Sequence, residues 1–215
     1  MPFAFWKPKP AVQNYSWLFT NSSNSYVSLQ TQVVFSGSHT VEAWCYPTAV
    51  NSYNSSIFSQ YNYGSSTDFY NLIAPGIGWY AGDSVGGVVT YAHTLNTWTY
   101  VTISVDVPNT LMTLYINGTS VSTASYPGGT TSTTSTPARI GNCSNLLSPW
   151  IGYISNLRVT NSVVYTGNFT PPTTQLTKLT NTILLTAQNN NYIDNSGTYT
   201  LANGSGVSTS TFSPF

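Results

Sequence analysis

Residues 97–124 decide the fold, and they read TWTYVTISVDVPNTLMTLYINGTSVSTA. Apolar and polar side chains alternate from residue 101 to residue 105, which is the period of a half-buried strand. Pro108 is preset for the second position of a type I or type II turn. Asn117 and Gly118 form the strongest hairpin signal, because a two-residue type I′ turn needs positive φ at both positions. The stretch therefore predicts a three-stranded antiparallel meander.

Short runs rich in Val, Ile, Thr and Tyr continue on both sides of the meander, separated by Gly, Asn, Ser and Pro. This pattern is typical of an all-β sandwich or barrel. Further strands are predicted at residues 26–29, 40–46, 57–61, 68–74, 85–91, 139–142, 152–159, 183–187 and 199–201. About a dozen short strands exceed what one twisted open sheet usually holds, so we expect two packed sheets. Residues 127–137 are low in complexity and predict an exposed loop.

Charge is unusually sparse in this chain. Five basic and five acidic residues make up 5% of it, against about 25% in typical globular domains. A surface that depends on Ser, Thr and Asn for solubility has little self-repulsion and favours association. Nucleic acid and anionic membranes are not expected as partners, because both are bound through clusters of Lys and Arg. No apolar run is long enough to predict a membrane-spanning helix, and the first residues lack the apolar core of a signal peptide.

Residues 1–13 differ from the rest and are predicted to form an extended arm, with the folded domain spanning residues 14–215. Prolines at alternate positions favour an extended strand without ladder hydrogen bonds. The arm could be frayed, could fold back on its own domain, or could be held by a neighbour. Three apolar rings near one terminus favour the neighbour. The predicted partner-docking residues are Phe3, Phe5, Trp6, Lys7, Pro8, Lys9 and Pro10.

Catalytic chemistry finds little support in the sequence. Glu42 is the only glutamate, and no aspartate lies near it in the chain, whereas glycoside hydrolysis needs two carboxylates. Glu42 is therefore expected to be a hydrogen-bonded structural group. His39 and His93 are isolated and are assigned structural roles, since no nucleophile motif accompanies them. Cys45 and Cys143 predict two buried free thiols, with one long-range bridge as the alternative.

Residues 152–176, GYISNLRVTNSVVYTGNFTPPTTQL, begin like a strand and end in a loop with two prolines. A regular strand would place two sets of side chains on opposite faces, namely Tyr153, Ser155, Leu157 and Val159 against Ile154, Asn156 and Arg158. Pro171 and Pro172 cannot donate to a ladder, so the chain is expected to cross the sandwich as an extended strap. Its predicted anchors are Val164, Tyr165 and Phe169. Arg158 is predicted to bond a loop or a carboxylate.

Several segments together carry a family resemblance. TVEAW, WTYV, LYING and YISNLRVTNSVVYTG occur in this order and resemble the laminin-G-like, concanavalin-A-like jelly-roll domains, above all those of bacteriophage virion proteins. The resemblance covers about residues 15–215 and leaves the arm outside. It implies an all-β, antiparallel two-sheet jelly-roll sandwich with an extended N-terminal arm. Members of this family serve as carbohydrate or protein recognition modules, and in phages as parts of fibres, spikes or head decorations.

The resemblance and the sparse charge together predict a non-enzymatic structural protein of a bacteriophage virion. As a head decoration or cement protein it would bind capsid proteins or copies of itself through its arm and its uncharged surfaces. The alternative is a carbohydrate-binding adhesin of a tail fibre or spike, which would contact a glycan of the host surface. A glycoside-active enzyme is disfavoured by the low number of acids.

The residues themselves suggest one kind of ligand contact, and the resemblance suggests another. Most aromatic rings between residues 51 and 93 are expected to fill the core or to stack across strands. Aromatic residues beside Gly-rich or Asn-rich loops suit the recognition of sugars or proteins, and the candidates are Tyr53, Tyr61, Tyr63 and Trp79. Laminin-G-like domains often carry calcium on the rim, where Asp83 or Asp106 would contribute oxygen ligands. Calcium usually requires several carboxylates, so no cofactor is expected, with calcium as the alternative.

Overall fold

The structure is a computed structural model that describes residues 13–35, 37–49, 54–60, 69–75, 79–82, 89–92, 94–126, 136–143, 146 and 148–215. Side chains are not described at positions 54, 69–75, 79–82, 90 and 91. This part of the chain forms fifteen strands and no helix, so it contains no helix long and apolar enough to cross a membrane. The first eight strands are β1 (Ser16–Phe19), β2 (Val27–Ser28), β3 (His39–Pro47), β4 (Asn54–Gln60), β5 (Phe69–Pro75), β6 (Trp79–Gly82), β7 (Val89–Tyr91) and β8 (Thr99–Asp106). The others are β9 (Leu111–Ile116), β10 (Thr119–Ser125), β11 (Arg139–Ile140), β12 (Gly152–Thr160), β13 (Thr182–Thr186), β14 (Ala202–Asn203) and β15 (Val207–Ser210).

The strands form two antiparallel sheets, which confirms the predicted sandwich. The first sheet has the order β10-β9-β8-β3-β12-β1-β15. Its eighth strand, β13, pairs with the second half of β12, while β1 pairs with the first half. The second sheet has the order β14-β2-β11-β4-β5-β6-β7. One face of the first sheet packs against the second sheet and carries core residues. The opposite face is called the outer face.

The predicted meander is confirmed in β8, β9 and β10. Alternate residues of β8, from Val101 to Val105, are buried in the core between the sheets. The Thr110 amide donates to the Val107 carbonyl oxygen at 3.0 Å across the turn that contains Pro108. At the next turn, Asn117 has φ of 50° and Gly118 has φ of 77°. Both positive values are those of the type I′ hairpin that the Asn-Gly pair predicts.

Strand β12 carries a β-bulge, so the regular alternation predicted along it is wrong after Ser155. Ser155 pairs with Trp44, but Arg158 pairs with Glu42, which leaves one extra residue on β12. The extra residue reverses the faces of the positions that follow it. Leu157 and Val159 consequently join Ile154 in the core. Arg158 lies on the outer face with Glu42.

Residues 161–181 form the predicted strap and lie over the outer face of the first sheet. The Val164 amide donates to Thr40 Oγ1 at 3.0 Å, and the Phe169 amide donates to the Gly118 carbonyl at 2.9 Å. These bonds attach the strap to β3 at one end and to the hairpin turn after β9 at the other. Part of the outer face is therefore covered by backbone that forms no strand of its own.

One predicted strand is displaced. Residues 199–201 are not in a strand, and the pairing with β2 is made instead by Ala202–Asn203 in β14. The reason is local, because the Tyr199 amide donates to a carboxylate oxygen of Asp194 at 2.9 Å and is held in a turn. Strands β1, β6 and β15 have only four residues each and were not predicted from their sequences.

The two cysteines behave as predicted. Cys45 and Cys143 are both buried and are not joined to each other. Burial raises the pKa of the Cys45 thiol well above its ordinary value, so this group behaves as a small apolar side chain. The predicted loop at residues 127–137 lies outside the described residues up to residue 135.

Candidate functional site

The outer face of β3 presents three side chains in a row. Glu42, Trp44 and Tyr46 alternate with Val41, Ala43 and Cys45, which face the core. Successive outward residues of a strand lie about 7 Å apart. Each of the three lies in a different environment. Glu42 is part of an ionic network, Trp44 lines a groove, and Tyr46 belongs to an aromatic surface.

Glu42 is fully buried on this outer face and is paired with Arg158. Arg158 Nε donates to Glu42 Oε1 at 2.7 Å, and Nη1 donates to the Thr177 carbonyl of the strap at 2.9 Å. Arg158 is therefore the predicted link between a carboxylate and a loop. The bulge in β12 makes the pair possible, since it moves Arg158 to the face that Glu42 occupies.

Two tyrosines complete the coordination of Glu42. The hydroxyls of Tyr100 and Tyr165 both donate to Glu42 Oε2, the latter at 2.9 Å. Burial, together with the nearby Glu42 carboxylate, raises the pKa of Tyr165 to about 12 and raises the pKa of Tyr100 well above its ordinary value. Both hydroxyls thus remain protonated donors far above neutral pH.

This network attaches the strap to the sheet. Tyr165 and Phe169 of the strap stack with their ring centroids 3.6 Å apart and their planes inclined by 10°. Ser104 Oγ donates to the Tyr165 carbonyl at 3.2 Å. Glu42 is buried, and both of its carboxylate oxygens accept hydrogen bonds, as expected for a structural carboxylate.

The other charged side chains that the structure describes also make structural contacts. The Arg139 guanidinium lies 4.5 Å from the ring centre of Tyr26, and Lys178 Nζ donates to the Ser196 carbonyl at 2.7 Å. Asp194 accepts bonds from the amides of four residues of its own turn and of β13, namely Leu185, Ser196, Thr198 and Tyr199. None of these groups is positioned as a catalytic pair.

Asp106, one of the two acids considered for calcium, accepts a bond from Asn109 Nδ2 at 2.8 Å. It therefore closes the turn between β8 and β9. Asp83, the other candidate, lies outside the described residues. Among the residues that the structure does describe, no group of three His, Cys, Asp or Glu side chains could hold a metal ion.

Four rings form a half-exposed aromatic platform on the outer face, at the end of the sheet where β3 finishes. They are Tyr46, Trp98, Tyr153 and Phe212, and every pair of ring centroids lies 4.9–6.4 Å apart. Tyr46 and Tyr153 are direct cross-strand partners. Phe212 is 43% exposed, and Ser16 Oγ fixes its backbone by donating to its carbonyl at 2.6 Å.

Next to the platform lies a proline groove of about 260 Å³, whose floor is Trp44. Its lining is Trp44, Thr170, Pro171, Pro172, Thr173, Pro214 and Phe215. The strap supplies one wall and residues 214–215 supply the other. The ring centroids of Trp44 and Phe215 lie 6.4 Å apart with the rings edge to face. The groove is uncharged, like the platform.

The aromatic site residues predicted from the sequence cannot be compared with the platform. Tyr53, Tyr61 and Tyr63 lie outside the described residues, and only the backbone of Trp79 is described, within β6. The arm residues 1–12 and His93 also lie outside. His39 is buried, as a structural histidine should be, with Nδ1 2.8 Å from the Gly37 carbonyl.

The platform was not predicted from the sequence, although the sequence contains one indication of it. Trp44 and Tyr46 stand two residues apart in β3 and follow Glu42 on the polar side of the alternation. Aromatic residues on the face that should meet solvent indicate either a covering segment or a binding surface. Here the strap covers part of this face and leaves the platform partly exposed.

The sequence matches one family model, the laminin-G model described as the concanavalin A-like lectin/glucanases superfamily, over residues 21–166. Among curated proteins, none matches this sequence. A solved structure with the same architecture is that of a protein from Bacteroides ovatus described as a candidate for carbohydrate binding, with 17% identity and a TM-score of 0.62. The match covers 94% of this chain but 61% of the Bacteroides protein.

Two further solved structures are similar. One is a heptameric SAP-like pentraxin from Limulus polyphemus, with 16% identity and a TM-score of 0.56, covering 74% of this chain and 81% of that one. The other is domain 4 of an extracellular arabinanase from Geobacillus stearothermophilus, solved in complex with arabinotriose. It has 16% identity and a TM-score of 0.51, and the match covers 70% of this chain and 72% of that one. At these identities the likeness shows the fold. Because the family model matches more than half of the chain, the protein belongs to the concanavalin A-like lectin/glucanase superfamily.

Proposed function

We propose that this protein is a non-enzymatic recognition module that binds neutral glycans on the aromatic platform. The observation that carries the proposal is the set of four mutually packed, half-exposed rings on the outer face, with Phe212 at their exposed edge. The electron-rich faces of aromatic rings attract the partially positive C–H groups of a sugar ring. Tyrosine and tryptophan also offer a large contact area at small entropic cost.

The preference for neutral ligands follows from the charges. Of the three described cations, Arg158 is paired within the buried network, Arg139 lies against Tyr26, and Lys178 donates to Ser196. An acidic sugar bound on the platform would lose water without gaining a counter-charge from these residues. Binding should therefore depend little on salt concentration, since exposed charges contribute little to it.

The comparisons with known proteins also support carbohydrate binding. The family contains lectins, and two of the similar solved structures are described with a carbohydrate ligand or a carbohydrate-binding role. Their sequences are too different to transfer a binding site residue by residue. The platform is therefore assigned from its own geometry.

The test is a glycan array followed by titration of the best neutral ligand with the Phe212→Ala protein. We expect affinity to fall about tenfold, because an aromatic contact of this kind contributes roughly 1.5 kcal/mol at most. Ile193→Ala is the matched control, since Ile193 is 44% exposed and its carbonyl accepts a bond from Thr186 in β13, a strand that supplies none of the four rings. It should bind like the parent protein at both low and high salt.

Two results would contradict the proposal. An array on which no neutral glycan binds would remove the function itself. Equal affinities for Phe212→Ala and Ile193→Ala would remove the platform as the site. In the second case, Tyr63→Ala and Trp79→Ala would show whether the residues predicted from the sequence carry recognition instead.

A second candidate is a structural protein of a bacteriophage virion, located on the head and bound through residues 1–13 to capsid proteins or copies of itself. The charged fraction of 5% favours it, because weakly charged surfaces associate readily. Removal of residues 1–13 should then release the protein from particles while the sandwich stays folded, and added salt should have little effect. Decoration by the truncated protein would exclude this role for the arm.

A further inference from the structure

We infer that the proline groove is the docking site for the N-terminal residues 1–12 of the same chain. The inference does not rest on glycan binding, because the groove and the platform are formed by different residues. Three observations support it: the lining of the groove, the place where the N-terminal segment leaves the fold, and the chemistry of that segment.

The groove suits an extended apolar segment that contains prolines. Trp44 forms the floor, and prolines from the strap and from residue 214 form the walls. Aromatic-lined grooves bind polyproline-type segments because these are already extended and lose little entropy on binding.

The N-terminal segment leaves the fold beside this groove. Asn14 Nδ2 donates to the carbonyl of Phe215 at 3.0 Å, and Phe215 is part of the groove wall. β1 begins two residues later, at Ser16, whose partner is Ser210 in β15. As a flexible tether, the eight residues 6–13 would span roughly 16 Å on average. This length is sufficient for a groove that begins where the segment leaves the fold. A tether of matching length gives an effective concentration in the millimolar range.

The segment has the composition that the groove requires. Phe3, Phe5 and Trp6 supply large apolar side chains, and Pro8 and Pro10 favour the extended conformation. Its two lysines would remain at the solvent side, because the groove has no acid in its lining. Docking in the same chain is favoured over docking in a second copy by the short path from Asn14.

The test is disulfide trapping in the full chain. Ala4→Cys is combined with Thr173→Cys, which lies on the exposed rim of the groove, and oxidation is followed at low protein concentration by non-reducing electrophoresis and intact mass. The control pair is Ala4→Cys with Thr119→Cys, an exposed position on the edge strand β10. Thr119 lies three strands from Trp44 and one residue from its level along the strands, about 15 Å away, so a freely moving segment reaches both. The native cysteines are buried and should not interfere.

We expect the groove pair to form a monomeric disulfide at least tenfold faster than the control pair. Adding Phe3→Ser, Phe5→Ser and Trp6→Ser should reduce that rate to the control rate, whereas Lys7→Ser with Lys9→Ser should leave it unchanged. Equal rates for the two pairs, or absence of the groove disulfide, would overturn the inference. Disulfide-linked dimers as the main product would also overturn it and would identify a second copy as the occupant.

Discussion

Replacing Arg158 by methionine is expected to lower the free energy of unfolding by about 3–5 kcal/mol. The substitution leaves the Glu42 carboxylate buried beneath the strap with only the hydroxyls of Tyr100 and Tyr165 as partners. It also removes the bond to the Thr177 carbonyl. A buried charge without its counter-charge loses hydration that nothing replaces. Urea denaturation followed by tryptophan fluorescence measures the change.

Two control variants separate burial from charge. Lys178→Met removes the same formal charge from an exposed side chain together with one hydrogen bond, to the Ser196 carbonyl, and should lower the free energy of unfolding by no more than about 1.5 kcal/mol. Glu42→Gln combined with Arg158→Met should recover part of the loss, because no unpaired charge remains. A loss with Arg158→Met no larger than that of Lys178→Met would show that the ion pair does not hold the strap.

Replacing Gly118 by alanine is expected to cost about 3 kcal/mol. Roughly 1–2 kcal/mol comes from placing an L side chain at φ of 77°. A further contribution of about 1–3 kcal/mol comes from collision, since the added Cβ would lie 1.9 Å from the Phe169 carbonyl oxygen and 3.2 Å from Pro171 Cδ. Either the hairpin turn or the strap must move. The same urea experiment gives the free energy of unfolding.

Gly197→Ala isolates the first of these two contributions. Gly197 has φ of 79°, but a Cβ there meets nothing within 4 Å. Its cost should be only that of the left-handed backbone, about 1–2 kcal/mol. The difference between the two variants therefore measures how tightly the strap is pressed against the turn. If the two costs agree within about 0.5 kcal/mol, the strap is not packed there.

The Arg158→Met and Gly118→Ala variants both test how the strap is attached to the outer face of the first sheet. A concanavalin A-like sheet needs only one buried face for its core, and in this chain the second face is divided among three uses. The network around Glu42 attaches the strap, the platform at Tyr46 stays open, and Trp44 between them forms the floor of the proline groove. Loss of the strap should therefore affect the groove, whose wall it forms, before it affects the platform.

The meander shows why much of this fold could be predicted. In β8 to β10 the strand period, the turn residues and the core face are all local properties of 28 consecutive residues, so tertiary structure had little to alter. Residues 199–201 show the limit of the same reasoning. Their composition favours a strand, but bonds from their turn to Asp194 hold them elsewhere.

The site shows a different limit. Its four rings are Tyr46 in β3, Trp98 just before β8, Tyr153 in β12 and Phe212 just after β15. These residues are distant in sequence and come together only when the strands of the first sheet pair. From the sequence, Tyr53, Tyr61, Tyr63 and Trp79 were favoured instead because they lie beside Gly-rich or Asn-rich loops, and that choice stays a prediction.

The sequence alone determined that this protein is an all-β sandwich with a strap after β12 and almost no charge, because strand period, turn chemistry and composition are properties of neighbouring residues. Only the tertiary structure decided that Arg158 meets Glu42, because a single extra residue at the β12 bulge reverses which face each following side chain occupies. A register of that kind is set by the pairing of strands distant in sequence. The same pairing brings the four rings of the platform together.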